Sequence, residues 1–202
     1  MDDMTRDTIT LKELPPYEAF TFARSADRSI RKDYVQHISW PILTREWVHR
    51  LAEYLRDKKV LDGCAGRGVL KAWLHKLGVD IRGVDTYAYE RPETDEHYHV
   101  DNMCVSEALD KWDDIEVVIL SWPPYAEGEQ SQDLVWKTWE HMRPGQILIY
   151  IGEDGWGCNM CYDTERALEL FKIERDLVYE LDSVFPRWSG IHDRIEIYKK
   201  GE

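Results

Sequence analysis

Apolar residues recur along this chain in two rhythms, and the rhythms alternate. Short apolar runs of strand length stand near 59–62, 80–85, 97–101, 115–121 and 146–152, each bounded by charged or turn-forming residues. Between them, at 67–78, 103–111, 131–142 and 162–172, the pattern is helical. The clearest helix is 67–78, where Val69, Leu70, Trp73, Leu74 and Leu77 share one face. An earlier helix is predicted from a Thr44 cap to about Arg56, with Trp47, Leu51, Tyr54 and Leu55 inward and Glu46 and Glu53 outward. Strand–helix alternation of this kind builds a parallel sheet with helices on both faces, an α/β three-layer sandwich. The tail changes character: 174–185 and 192–199 read as two adjacent strands linked by Pro186 to Gly190.

Residues 1–40 stand apart and are read as an N-terminal extension or lid on a domain of residues 41–202. They hold Pro15-Pro16 and a predicted helix from Tyr17 to Lys32, and Trp40-Pro41 breaks the chain after them. On that helix Arg24, Arg28 and Arg31 fall four and three apart, on one face. Such a face is either solvated or a contact for phosphate or an acidic substrate.

The chain of 202 residues suits one α/β domain with a short extension. It has no apolar run of about 18 residues, so no membrane span is expected. The charged start, Met1 to Asp7, does not resemble a signal peptide. Cysteines 64, 104, 158 and 161 do not form a secreted disulfide pattern, so a reduced, cytoplasmic protein is expected. The pair Cys158 and Cys161 lacks the further ligands of a zinc site, and no metal is expected. Net charge is −13; residues 1–59 hold ten acids and eleven bases, which leaves −14 on the remainder. A body this acidic argues against a broad duplex-binding surface but allows a nucleotide, a small molecule or a basic protein partner.

The most informative stretch is Asp57 to Gly68: a buried strand, Asp62, and a glycine-containing turn that opens a helix. Gly66 and Gly68 let backbone approach a ligand where a side chain would clash. The dinucleotide fingerprint fails at Lys71, where a third glycine is needed, and no P-loop is present. The string Asp62-Gly63-Cys64-Ala65-Gly66-Arg67-Gly68 instead resembles the first motif of S-adenosylmethionine-dependent methyltransferases, whose first glycine is often replaced as it is here by Cys64. Ligands in doubly wound sheets sit at the carboxyl ends of strands. Asp85 ends the second strand, about 20 residues past the turn, where a carboxylate can accept from both ribose hydroxyls. Asp101 ends the third; the resemblance implies that it meets the adenine amino group, flanked by Asn102 or Met103, while the alternative is a cap on the next helix. The resemblance covers about 55–200 and implies a Rossmann-like, mostly parallel seven-stranded sheet with an antiparallel last strand. It implies S-adenosylmethionine as cofactor, with its amino-acid end held by Asp62, Cys64, Gly66 and Gly68.

A second motif, Ser121-Trp122-Pro123-Pro124-Tyr125, ends the fourth strand and resembles the Asn/Asp/Ser-Pro-Pro-Tyr/Phe motif of amino-group methyltransferases. In-line methyl transfer needs the acceptor lone pair aimed at the methyl group, so a side-chain oxygen and a carbonyl fixed by Pro-Pro accept the N–H groups. Here the residue before Pro-Pro is Trp122, which has no acceptor. It can cover a sulfonium or stack on a planar substrate, while Ser121, one position earlier, is expected to point the other way. Two loops are expected on the same face: Gly152 to Cys158, with Glu153 and Asp154 at its start, and Pro186 to Asp193, where His192 is the titratable candidate for acid–base work or a loop histidine satisfied by Asp193. The expected function is methyl transfer to an amine or other nucleophile of a small molecule, nucleotide or protein side chain. The alternatives are a cofactor-binding sensor or partner subunit that does not methylate, and a nucleic-acid base methyltransferase.

Overall fold

The computed structural model describes residues 13–18, 28–87, 96–124, 134–153 and 162–201. Among the described residues, six strands, β1 (Lys59–Asp62), β2 (Asp80–Gly83), β3 (Val117–Ser121), β4 (Ile147–Glu153), β5 (Phe171–Ile173) and β6 (Asp193–Lys200), form one sheet in the order β2-β1-β3-β4-β6-β5. Pairing of β1 with β2 and β3, and of β3 with β4, is parallel; β6 runs antiparallel to both β4 and β5. The helices are α1 (Arg28–His37), α2 (Arg45–Tyr54), α3 (Val69–Lys76), α4 (Val105–Lys111), α5 (Leu134–His141), α6 (Tyr162–Glu169) and α7 (Arg175–Asp182). This is the expected Rossmann-like sandwich with an antiparallel last strand, but with six strands among the described residues where seven were expected, because residues 97–101 contribute only an isolated bridge at Asp101.

The central strands are apolar on both faces because helices cover both. Val60, Ile119, Ile149 and Ile151 enter one core with residues of α1, α2 and α3; their chain neighbours Leu61, Val118, Leu120 and Tyr150 enter the other with residues of α4 and α5. The first core also takes in the N-terminal part of the chain. Tyr34 of α1 is fully buried, packs edge-on to Trp188 with ring centroids 5.5 Å apart, and accepts the Leu43 N–H at 3.0 Å.

Three elements differ from the sequence reading. Residues 97–101 do not make a full strand: Glu96–Tyr98 is a 3-10 turn, and only Asp101 reaches the sheet, bridging Val84. The His97 carbonyl is taken by Lys71 Nζ at 2.8 Å instead of a strand neighbour, and Lys71 is itself buried. Residues 174–185 are mostly helix, because Val178, Leu181 and Phe185, three and four apart, lay one face on the core. The edge strand is Phe171–Ile173, just before that helix. The N-terminal helix continues past Lys32 to His37, and residues 19–27 lie outside the described residues. Thr44 stands at the predicted N-cap with extended backbone, yet its hydroxyl makes no capping bond.

Tyr34→Phe keeps the packing but leaves a buried Leu43 N–H without an acceptor. The expected loss is about 1–3 kcal/mol in urea denaturation, with α1 contributing to the same cooperative transition.

Candidate functional site

β1 lies where the strand order reverses: β2 stacks on one side of it and β3 on the other. Helices leaving neighbouring strands toward opposite faces open a crevice at the carboxyl ends of such a pair. A cleft of about 360 Å³ sits there, lined by Asp62, Cys64, Ala65, Gly66, Arg67, Val69 and Leu70 after β1, and by Ser121 at the end of β3. Its other wall is N-terminal: Val35, Gln36, Ile38, Ser39, Trp40 and Pro41.

The glycines of the turn do different work. A side chain at Gly63 would come within 2.7 Å of Val105 Cγ2, and one at Gly68 within 2.9 Å of the Tyr98 carbonyl. Both are required by packing within the protein, and Gly68 also adopts a left-handed φ of 76° as the N-cap of α3. Gly66, at φ 52°, is the one of the three whose missing side chain faces open space. Its N–H donates to Asp85 Oδ2 at 2.8 Å, so the acid ending β2 holds the turn. The other oxygen of Asp85 accepts from Tyr87 N–H at 2.8 Å.

Asp62 is 1 % exposed, and its Oδ1 has no hydrogen-bond partner among the described residues. Burial, then the neighbouring Asp85 charge, pushes its carboxyl up to about 7, against the Cys64 backbone N–H and the Lys71 charge, which pull it down. Burial, with Asp85 and Asp62, also pushes the Cys64 thiol up and keeps it protonated. An orphaned buried carboxylate oxygen at a cleft wall, beside a glycine that leaves room, fits a ligand carrying a cationic or hydrogen-bond-donating end.

Asp101 adjoins Asp85 through the Asp85 N–H to Asp101 carbonyl bond of 3.1 Å. The cap of α4 is Cys104 with Glu107, so Asp101 is not used as a helix cap. Asp101 is half-buried and Asn102 exposed, and neither lines the cleft.

Trp122 has φ 52°, a left-handed conformation that is strained for a bulky residue before proline. Its N–H bonds the Ile151 carbonyl at 2.6 Å, and its indole Nε1 donates to Asp193 Oδ2 at 3.2 Å. The ring stacks on Trp40, 5.1 Å between centroids and 19° between planes. The indole is thus 94 % buried and turned to Asp193 and Trp40, while Ser121 lines the cleft, against the expectation from simple alternation. Asp193 opens β6 opposite Glu153 of β4. Burial raises its carboxyl to about 6, opposed by the Trp122 bond and the Arg187 charge, while the Glu153 charge adds to the rise. His192 is exposed and joins this cluster through its backbone N–H, which donates to Glu153 Oε1 at 3.1 Å.

Pro123 follows this turn, while Tyr125 and residues 154–161 with Asp154, Cys158 and Cys161 lie outside the described residues. Sequence reading did not select Val35, Gln36 and Trp40 for the site, and it took Asp193 only as a partner for His192. The one available signal was Trp40-Pro41, a large aromatic at a rigid break directly before a buried helix.

No protein-family model matches the sequence, and no curated protein matches it. Solved structures match in fold. A mutant of MtNAS in complex with S-adenosylmethionine is 11 % identical, with 98 % of this chain and 72 % of that chain covered and a TM-score of 0.50. The Burkholderia thailandensis 1,6-didemethyltoxoflavin-N1-methyltransferase is 19 % identical over 94 % of this chain and 92 % of that one, with a TM-score of 0.49. TehB from Haemophilus influenzae is 11 % identical over 84 % and 67 %, also at 0.49.

An acid with a raised folded value stabilises the fold only while protonated. Relative to an Asp62→Asn variant, the wild type is therefore expected to lose stability as pH rises from about 4 to about 7. Thermal unfolding of the ligand-free proteins across that window checks it: the two curves should converge at acid pH, with the variant melting higher at pH above 7.

Proposed function

We propose that this chain binds S-adenosylmethionine in the cleft at the ends of β1 and β3 and transfers its methyl group to an acceptor. The observation that carries the reading is Asp62: a buried carboxylate with an unpartnered oxygen, beside open space at Gly66, at the switch point of this fold. Bound there, the cofactor supplies an electrophilic methyl on a cationic sulfur. Asp62 and the Cys64–Gly66 backbone hold its amino-acid end, where a positive charge draws Asp62 into its ionised form. Asp85, already fixed by the Gly66 N–H, keeps free lone pairs for the ribose. Asp101, joined to Asp85 by a backbone hydrogen bond outside the lining of this cleft, and Asn102 are assigned to an adenine that extends past Asp85, and Gly68 sets the start of α3. Ser121 offers a hydroxyl on the cleft, and Pro123, with Tyr125 after it in sequence, is assigned to positioning the acceptor. The extension of residues 1–40 acts as a lid on the body that follows; among its described residues, Val35, Gln36, Ile38, Ser39 and Trp40 line the cleft's second wall. His192 acts on protons only from an exposed position, so desolvated base chemistry is not assigned to it.

A second reading is binding without methyl transfer, as a sensor or partner subunit. It is favoured by Trp122, whose one polar atom is already donated to Asp193 and which has no acceptor to aim an amine. Base methylation in a duplex is disfavoured by the −13 net charge.

Asp85→Ala removes both the ribose acceptor and the brace on Gly66, and cofactor affinity by calorimetry should fall about tenfold or more. An unchanged dissociation constant in a folded variant removes the assignment. Turnover separates the two readings: labelled cofactor incubated with small amines, acids and peptides gives S-adenosylhomocysteine if methyl is transferred, whereas saturable binding with no product across the panel supports the sensor.

A further inference from the structure

A second cleft, of about 570 Å³, adjoins the first and shares Val35, Gln36 and Trp40 with it. Its volume is within the range of about 300–1,000 Å³ usual for small-molecule sites. Two cations line it, Arg31 and Lys32, in a chain whose net charge is −13. Neither has a carboxylate partner among the described residues. Arg31 is only half-exposed, its guanidinium lies over the Trp40 ring at 5.5 Å, and its Nε is buried with no hydrogen-bond partner among the described residues. A guanidinium that is fixed over an aromatic ring, lines a cleft and has no carboxylate partner among the described residues suits an oxyanion ligand.

Arg31 is also held in place. Asp193, Trp122, Trp40 and Arg31 form a ladder in which each member contacts the next: a hydrogen bond, a ring stack and a cation–π contact. The ladder runs from the buried start of β6 to the lining of the second cleft. The opposite wall, around Gly190 and Ile191, leaves open space at Gly190. Val35, Trp40 and Ile191 supply apolar surface for the remainder of a ligand.

We propose that this second cleft is the acceptor site and that the acceptor is a small organic acid: an apolar or aromatic body whose carboxylate or phosphate is bound by Arg31 and Lys32. This rests on the cofactor reading above for the word acceptor; the acid site itself stands on the cleft and its cations.

The test uses the full chain, first titrated with S-adenosylmethionine, then with benzoate, phenyl phosphate and neutral benzamide, followed by calorimetry and by the tryptophan indole N–H signals in NMR. The anions should bind saturably and perturb an indole signal, with benzamide about tenfold weaker. Preference between benzoate and phenyl phosphate tells a carboxylate from a phosphate site. Arg31→Gln should weaken the anions by about tenfold, the scale of one charge-assisted contact. Lys32→Gln, at an exposed position, gives an independent reading should Arg31→Gln fold poorly. Equal affinity for benzamide and benzoate, anion binding indifferent to both substitutions, or no anion binding at all overturns the proposal. So does a single-stranded oligonucleotide that binds through these residues while neither small anion does. Acid binding without any S-adenosylmethionine binding rejects the cofactor reading alone, and the reverse pattern rejects the acid site alone.

Discussion

A carboxylate buried at the end of the central strand is the constraint around which this site is built. Asp62 lies between β2 and β3, almost wholly out of water, with one oxygen unpartnered and a second acid, Asp85, raising its proton affinity. A fold tolerates such a group only where the rest of the sheet is already secured. Here it is, since parallel strands apolar on both faces and two helical layers surround it. The neighbouring positions then lose their freedom. Gly63 has no room for a side chain, and Gly68 none beside the Tyr98 carbonyl. Asp85 is committed to bracing Gly66. What remains open at the turn is the space in front of Gly66, so a ligand's approach is set by the backbone.

The second organising feature joins parts of the chain far apart in sequence. Trp122 takes a strained backbone conformation that ties β3 to β4 through its N–H and to β6 through its indole. Its ring stacks on Trp40, which carries Arg31. A motif that aims an amine in resembling enzymes is here part of a structural ladder reaching the N-terminal helix. Trp40, a member of this ladder, lines both clefts. Asp193, at its base, is the second acid whose proton affinity burial raises. Both acids sit at strand termini where burial favours the protonated carboxyl.

The alternating rhythms of the sequence made the layers legible, because period two and period 3.6 reflect local geometry and a buried face. They placed β1 and α3 to within a residue or two, and the strand-end acids Asp62 and Asp85 with them. They failed where tertiary contacts override a short pattern. Residues 97–101 look like a strand, but their carbonyls meet Lys71 and the turn at Gly68. Residues 174–185 are rich in apolar residues that suit either period, and packing against the core decided for the helix.

The sequence by itself determined the α/β order, the glycine turn and the acids that end successive strands, since each rests on neighbours a few residues apart. Only the tertiary structure decided which glycine faces open space, that Ser121 and not Trp122 lines the first cleft, and that Trp40 lines both clefts and Arg31 the second. Those outcomes depend on long-range partners: Val105 against Gly63, Tyr98 against Gly68, and Asp193 against Trp122 across 71 positions of the chain. No local periodicity encodes such a meeting, because it follows from how the strands are ordered and how their ends are packed.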